Sequence, residues 1–412
     1  MAPVILHCDM NNYYASVEAL LNPALRGKAL AVCGDLRERH GICLAKSQEA
    51  KAAGVKTGDP LFEVRRKCPG VLIIPPHFDA YVQYSRLART IYGRFTDRVE
   101  PFGLDECWLD ISGTEGLFGP PEEAARLVKE AIREELGLTI SVGLSHTKPL
   151  AKLASDLAGI DEVFPLFPGE LEALSPTLPA AALLGVGPAT RKKLARYGIH
   201  SLRDLAQAEP AFLQGLLGKN GLWLSLCARG EDGARVARDG EAPPVKSVGH
   251  GTTLTEDVEG REAVHHVLLE MALDVSFRLN RLGLVASGTE LTLRDARLAF
   301  HTWQGTWTEG TASPTVLAGR AMSLWEENWK GEVPIRALTL RAVGLRPRPL
   351  AEQPDLLGEY LARQRKEDLG RTLTSLRERY GRGAVTYGAL LAEGRIPRGR
   401  SLEITMPGPM SR

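Results

Sequence analysis

Phe102-Gly103-Leu104-Asp105-Glu106-Cys107-Trp108-Leu109-Asp110-Ile111 is a short apolar run with two adjacent carboxylates near its start. Far upstream, Val4-Ile5-Leu6-His7-Cys8-Asp9 is a second apolar run, and it ends in a third carboxylate. Both read as buried strands, rich in aliphatic and aromatic residues. A buried carboxylate is costly unless it meets a cation. Three of them on neighbouring central strands repel each other unless divalent metal lies between, and hard oxygen ligands suit Mg2+. Two such ions about 3.5–4 Å apart are a recurrent clamp for in-line phosphoryl transfer. Adjacent residues of a regular strand point to opposite faces. Asp105 and Glu106 therefore reach one cluster only if the strand starts or bends there, and Pro101 and Gly103 supply a turn.

Outward from these runs, residues 1–20 read as strand then helix. Residues 28–78 form a compact insert, with helices near Ser47–Ala53 and Pro60–Lys67. A helix from Asp79 to about Phe95, the Asp105-Glu106 hairpin, a helix at Pro121–Leu136 and a strand at Leu138–Leu144 follow. Ala124, Val128, Ala131 and Ile132 keep helical spacing. With the insert set aside, the order is βα, β-hairpin, αβ, the split ferredoxin-like pattern. From Leu183 the pattern turns to short helices. Gly185 and Gly187 in Leu183-Leu184-Gly185-Val186-Gly187-Pro188 let backbone approach a phosphate, and the next helix N-terminus favours an anion. Arg191, Lys192 and Lys193 add positive charge there. A polar stretch near Gly230–Pro244 reads as a linker to a second βαββαβ series, with strands at Ser247–Leu254, Ala286–Leu293, Leu298–Trp303 and Ile335–Val343. A charged tail with a helix near Leu369–Tyr380 closes the chain.

The 412 residues suggest two to four domains. No apolar run approaches the ~20 residues of a membrane span, and no secretory leader is expected. Six cysteines without CxxC spacing read as reduced core thiols, fitting a cytoplasmic protein. Fifty-one basic residues nearly balance 50 acidic ones, a formal net charge of +1. That balance does not advertise nucleic-acid binding; the distribution of charge sets the local field.

The stretch Cys8-Asp9-Met10-Asn11-Asn12-Tyr13-Tyr14-Ala15-Ser16-Val17-Glu18 resembles the opening motif of the Y-family, or translesion, DNA polymerases. Leu104–Asp110 is similar to that family's second carboxylate motif, and Ser141–Asp156 to its third. The resemblance runs to about residue 345 and is nearest the DNA polymerase IV branch. It implies an α+β multidomain chain: a ferredoxin-like palm (1–27 and 79–168) with a small fingers insert (28–78). A helical thumb with a helix–hairpin–helix (169–231), a linker (232–245), a second ferredoxin-like little-finger domain (246–350) and a tail (351–412) complete it.

The resemblance also implies roles. Asp9, Asp105 and Glu106, with the Met10 carbonyl, would hold two Mg2+ ions. Tyr14 takes the steric-gate place beneath the incoming sugar, and Tyr13 packs behind it. Gln48 and Lys51 stand where the family's fingers helix carries Tyr and Arg, so the bidentate fork is lost there. The family's lysine after the Ser-Asp pair falls on Gly159, and Lys148 and Lys152 are the candidates to compensate. Gly185, Gly187, Arg191, Lys192 and Lys193 would grip DNA. Gln353, Leu356 and Leu357 resemble a peptide that docks on the sliding clamp.

The activity this implies is template-directed, low-fidelity DNA synthesis across lesions, without proofreading. The partners are primer-template DNA and deoxynucleoside triphosphates, with the chain acting as a monomer. A catalytically weak or inactive DNA-binding mutagenesis-accessory paralogue is the competing reading, favoured by Gly159. A nucleotidyl cyclase shares the paired carboxylates but leaves the helix–hairpin–helix and second ferredoxin-like domain without a role.

Overall fold

The structure, a computed structural model, describes residues 3–34, 41–238, 240–241, 244–331, 333–349 and 359–391. The chain divides into two compact units that part near residue 243. Among the described residues no helix is long and apolar enough to cross a membrane.

The first unit is built on a five-stranded sheet. Its strands are β1 (Ile5–Met10), β5 (Val99–Phe102), β6 (Glu106–Asp110), β7 (Ile140–Ser145) and β8 (Val163–Pro165), in the order β5-β6-β1-β7-β8. The first four make the antiparallel ferredoxin-like arrangement, and β8 joins β7 in parallel, with Val142 opposite Val163. A smaller sheet comprises β2 (Leu30–Cys33), β3 (Cys43–Lys46) and β4 (Leu72–Ile74), in the order β3-β2-β4.

The alternation of side chains along β1 and β6 divides the large sheet's two faces. Leu6, Cys8, Met10, Cys107 and Leu109 enter a core shared with the helices Tyr13–Leu21, Phe78–Tyr92 and Pro121–Leu136. The last of these starts on Pro121, carries Glu122 and Glu123 in its first turn and stops at left-handed Gly137. That is the end chemistry helices favour. Ile5 and Trp108 turn to the other face and pack with Ala151 of the helix Lys148–Leu157. The stretch read as a linker begins on this face: Val236 is fully buried there, and the Ala237 amide donates to Glu100 at 2.8 Å. The short helices from Pro188 to Arg229 share a further core around Leu194, Leu202, Leu213 and Leu224.

The second unit has an antiparallel sheet of β9 (Val248–Val258), β10 (Leu284–Asp295), β11 (Phe300–Thr311) and β12 (Ile335–Pro347). The chain order is βαββαβ again, but the sheet order is β11-β10-β12-β9. Its second and fourth strands are central, where in the first unit the central pair is the first and third of the motif. The helices Arg261–Arg281 and Pro314–Asn328 cover one face.

A third helix, Glu359–Tyr380, begins ten residues before the tail helix expected from sequence. It is fastened to this unit. Leu373 and, beyond the helix, Leu390 are buried in the same core. Glu367 accepts from the amides of Ala312 and Ser313, at 3.1–3.2 Å, where the Pro314 helix begins. Those amides lack partners in their own helix. Gln353, Leu356 and Leu357 lie outside the described residues.

Candidate active site

Strand pairing brings two of the three carboxylates face to face. In the β1–β6 register Asp9 stands opposite Glu106, and in the β1–β7 register it stands opposite Ser141. Cross-strand partners share a face, so both carboxylates lie on the side covered by the Lys148 helix. Strand β6 starts at Glu106, and Asp105 belongs to the preceding turn. Gly103 makes the turn with a φ of 86°, a conformation glycine adopts freely. The Asp105 carbonyl accepts from the Met10 amide at 3.0 Å, tying the turn to the end of β1.

Burial, together with Asp9 and Glu106, pushes the Asp105 carboxyl up to about 7. Burial raises Asp9 and Glu106 as well, although Lys152 opposes both shifts. Such a set is short of positive charge. The cation that now serves it is Lys152. Its Nζ lies 3.1 Å from Asp9 Oδ2, 3.3 Å from Glu106 Oε2 and 2.8 Å from Asp156 Oδ1. Burial alone would lower this lysine, but Asp9, Glu106 and Asp156 outweigh it and hold it above its usual range.

Two neighbours, His7 and Ser155, were not legible as site residues. His7, two positions before Asp9 on the same strand face, places Nε2 3.2 Å from Glu106 Oε2. Its Nδ1 meets Ser155 Oγ at 2.8 Å. Burial, with Lys152 nearby, lowers this imidazole to about 3, so it stays neutral. The period of two along β1 is the signal that places His7 beside Asp9.

These groups suit divalent metal in kind. The donors are oxygen-only, half-buried and mutually repelling, and Glu106 Oε2 completes no hydrogen bond. That chemistry fits Mg2+. The spacing is not that of a finished cage: among the described residues no three His, Cys, Asp or Glu side chains stand together as a metal site. Lys152 stands between Asp9 and Glu106.

Beside the carboxylates lies an aromatic stack. Tyr14 is half-buried and stacks on Tyr81, with centroids 4.2 Å apart and planes at 6°. Phe78 meets its edge at 5.9 Å. Tyr13 is buried behind it, its hydroxyl donating to the Tyr81 carbonyl. The Tyr81 hydroxyl in turn donates to buried Glu18, which also meets His77 at 2.9 Å. Tyr81 and Glu18 are further residues that sequence reasoning missed; Tyr81 meets Tyr14 only through the fold, and Glu18 joins the stack through the Tyr81 hydroxyl.

The other expected contacts are dispersed. Gln48 and Lys51, three apart, share a face of the short helix Gln48–Ala52, and Lys51 is exposed. Lys148 is engaged elsewhere: Glu100 takes its ammonium at 2.6 and 2.7 Å, and it lies over the Trp108 ring. A Cβ at Gly159 would meet the Glu162 carboxylate at 2.3 Å, and the Gly159 amide donates to that carboxylate. An acid thus fills the space beside the position where the family keeps a lysine. Gly185 turns with a φ of 95°, and Gly187 precedes the helix Pro188–Ala195. Arg191, Lys192 and Lys193 are on that helix, Lys192 and Lys193 exposed and Arg191 open to solvent.

Residues 8–156 match the model of the impB/mucB/samB family, and residues 245–356 match that family's C-terminal domain. The chain is 37% identical to the DNA polymerase IV of Acetivibrio thermocellus, over 97% of this chain and 100% of that one. The chain belongs to the Y family of DNA polymerases, in the DNA polymerase IV branch. A second member, DNA polymerase IV 1 of Bacillus subtilis, is 34% identical over 94% of this chain and 93% of its own length. The fold agrees. A Y-family polymerase chimera of Dbh and Dpo4 superposes with a TM-score of 0.73 at 22% identity, over 84% of this chain and 100% of that one. The Dbh insertion ternary complex does so with a TM-score of 0.58, also at 22% identity, over 84% of this chain and 100% of its own. In this Y-family chain, the three carboxylates and the tyrosine pair all fall within the first matched segment.

Proposed function

We propose that Asp9, Asp105 and Glu106 form the nucleotidyl-transfer centre of a DNA-directed DNA polymerase that carries out translesion synthesis. The observation that carries the assignment is Asp9 opposite Glu106, with Asp105 in the adjoining turn and Tyr14 alongside. Two Mg2+ ions, held by these carboxylates and the Met10 carbonyl, would neutralise triphosphate charge and lower the pKa of the primer hydroxyl. The protein's own groups then bind and orient. Tyr14, backed by Tyr81, excludes a sugar 2'-hydroxyl. Gln48 and Lys51 meet the phosphates, and Arg191, Lys192 and Lys193 hold the DNA backbone. Docking to the sliding clamp through Gln353, Leu356 and Leu357 is part of the proposal, and pull-down with a Leu356→Ala, Leu357→Ala protein tests it.

Glu162 beside Gly159 favours a second reading, a catalytically weak accessory paralogue, because it leaves the phosphate side short of a cation. Primer extension with Mg2+ decides between them. Glu106→Gln and Asp105→Asn abolish extension and retain primer-template binding if the first reading holds. Extension by Glu106→Gln at the parental rate sinks the assignment, and a parent that binds DNA but never extends it leaves the second.

A further inference from the structure

The carboxylates and the lysine between them imply a competition that the polymerase reading does not contain. Lys152 is 12% exposed, and its ammonium lies within 3.3 Å of both Asp9 and Glu106. It does not sit there by looseness of the helix. Gly143 lets the Lys148 helix lie against β7, since a Cβ there would be 2.0 Å from the Ala151 carbonyl oxygen. Ser155, on the same helix, is fastened to His7 at 2.8 Å. The lysine is thus aimed at the carboxylates from a fixed base. One turn further on, Asp156 holds the same ammonium at 2.8 Å, on a side chain that is 47% exposed, so the lysine already has a partner off the other two carboxylates.

We propose that Lys152 is a built-in placeholder cation, which holds Asp9 and Glu106 together in the metal-free protein and is displaced onto Asp156 when divalent metal binds. The inference rests on the reading of Asp9, Asp105 and Glu106 as metal ligands. It assigns Lys152 to positioning the ligands before loading, a role distinct from contact with the triphosphate. An ammonium and a divalent ion cannot share the same two carboxylate oxygens without repulsion. The metal-free site is therefore preorganised at the expense of metal affinity. Asp156 reduces that expense, because the departing charge keeps a partner within the length of its own side chain.

The test is Mn2+ binding, followed by electron paramagnetic resonance, to the full chain without DNA or nucleotide. Lys152→Gln and Lys152→Met bind Mn2+ about tenfold or more tightly than the parent, because the competing charge is gone. Asp156→Asn binds it more weakly, and this effect disappears in the Lys152→Gln background. In chelator, Lys152→Gln melts below the parent, and saturating Mn2+ closes the gap. Parental Mn2+ affinity in both Lys152 variants overturns the proposal. Should those variants not fold in chelator, parental affinity in Asp156→Asn overturns it alone. Asp105→Asn separates the two layers: if it binds Mn2+ as the parent does, the metal-ligand reading fails. If it loses Mn2+ while the Lys152 variants bind as the parent, only the placeholder fails.

Discussion

Gly143 and Ala151 touch across the seam between β7 and the Lys148 helix. A Cβ on Gly143 would lie 2.0 Å from the Ala151 carbonyl oxygen and 2.3 Å from the Ser155 amide nitrogen. Both partners are backbone, so neither can swing aside. Everything that helix delivers to the carboxylates depends on this approach.

Gly143→Ala therefore pushes the helix off the sheet. Overpacking of this kind costs roughly 1–3 kcal/mol, and more where backbone cannot yield. Denaturant unfolding reads the loss. Primer extension falls further than stability alone explains, because Lys152 and Ser155 leave Asp9, Glu106 and His7 together. A variant with parental stability and rate removes the importance of the seam.

Sugar discrimination is predicted to rest on Tyr14. Removing the ring in Tyr14→Ala raises ribonucleotide use relative to deoxyribonucleotide use by at least about tenfold in kcat/KM. Tyr13→Ala has another consequence. Its hydroxyl is bound to the Tyr81 carbonyl in the core, so it costs stability and leaves selectivity near the parental value. Reversed results for the two tyrosines mean the gate is Tyr13.

Salt dependence tests the proposed grip on phosphates. Alanine at Arg191, Lys192 and Lys193 together weakens binding to all duplex sequences alike. The slope of log affinity against log salt becomes shallower by about 0.9 for each phosphate that is no longer neutralised. An unchanged slope means these cations face only solvent.

Acid sensitivity of the second unit has a nameable source. Asp274 is largely screened from solvent, which alone would raise its carboxyl. His250 at 3.2 Å, Arg278 at 2.9 Å and Arg382 at 2.6 Å outweigh burial and bring it down to about 2. A carboxyl lower in the folded than in the unfolded chain stabilises above the unfolded value of about 3.9, by about 2 kcal/mol. That contribution is lost as pH falls from near 4 through 2. Asp274→Asn is thus less stable than the parent at pH 7, and the two converge near pH 2. A gap that stays constant down to that pH assigns the loss to packing instead.

The legible parts of the fold were those written in short-range pattern. The helix Pro121–Leu136 has periodic apolar residues and clear ends, and it forms over that span. The turn at Gly103 and the start of β6 at Glu106 follow from local chemistry. What escaped reading is long-range or unpatterned. Strand β8 has three residues and gains its order only from β7. Ser155 meets His7 across 148 positions, and Lys152 meets Asp9 across 143. Tyr81 supports Tyr14 only because two helices pack. The first ten residues of the Glu359 helix are mostly polar, with apolar side chains clustered at Tyr360–Ala362 and no apolar period beyond them to announce the helix.

Glu367 and Leu390 have a consequence for where this protein can be cut. The family's C-terminal match ends at residue 356, yet the second unit keeps a capping carboxylate and two core leucines beyond it. A chain trimmed at that border would lose the partners of the Ala312 and Ser313 amides and uncover the face against which Leu373 and Leu390 lie. Such a fragment would be an aggregating, protease-sensitive species and not a smaller working domain. Residues 359–391 are thus masonry of the fold, and deletions that remove them will report collapse before they report any lost partner.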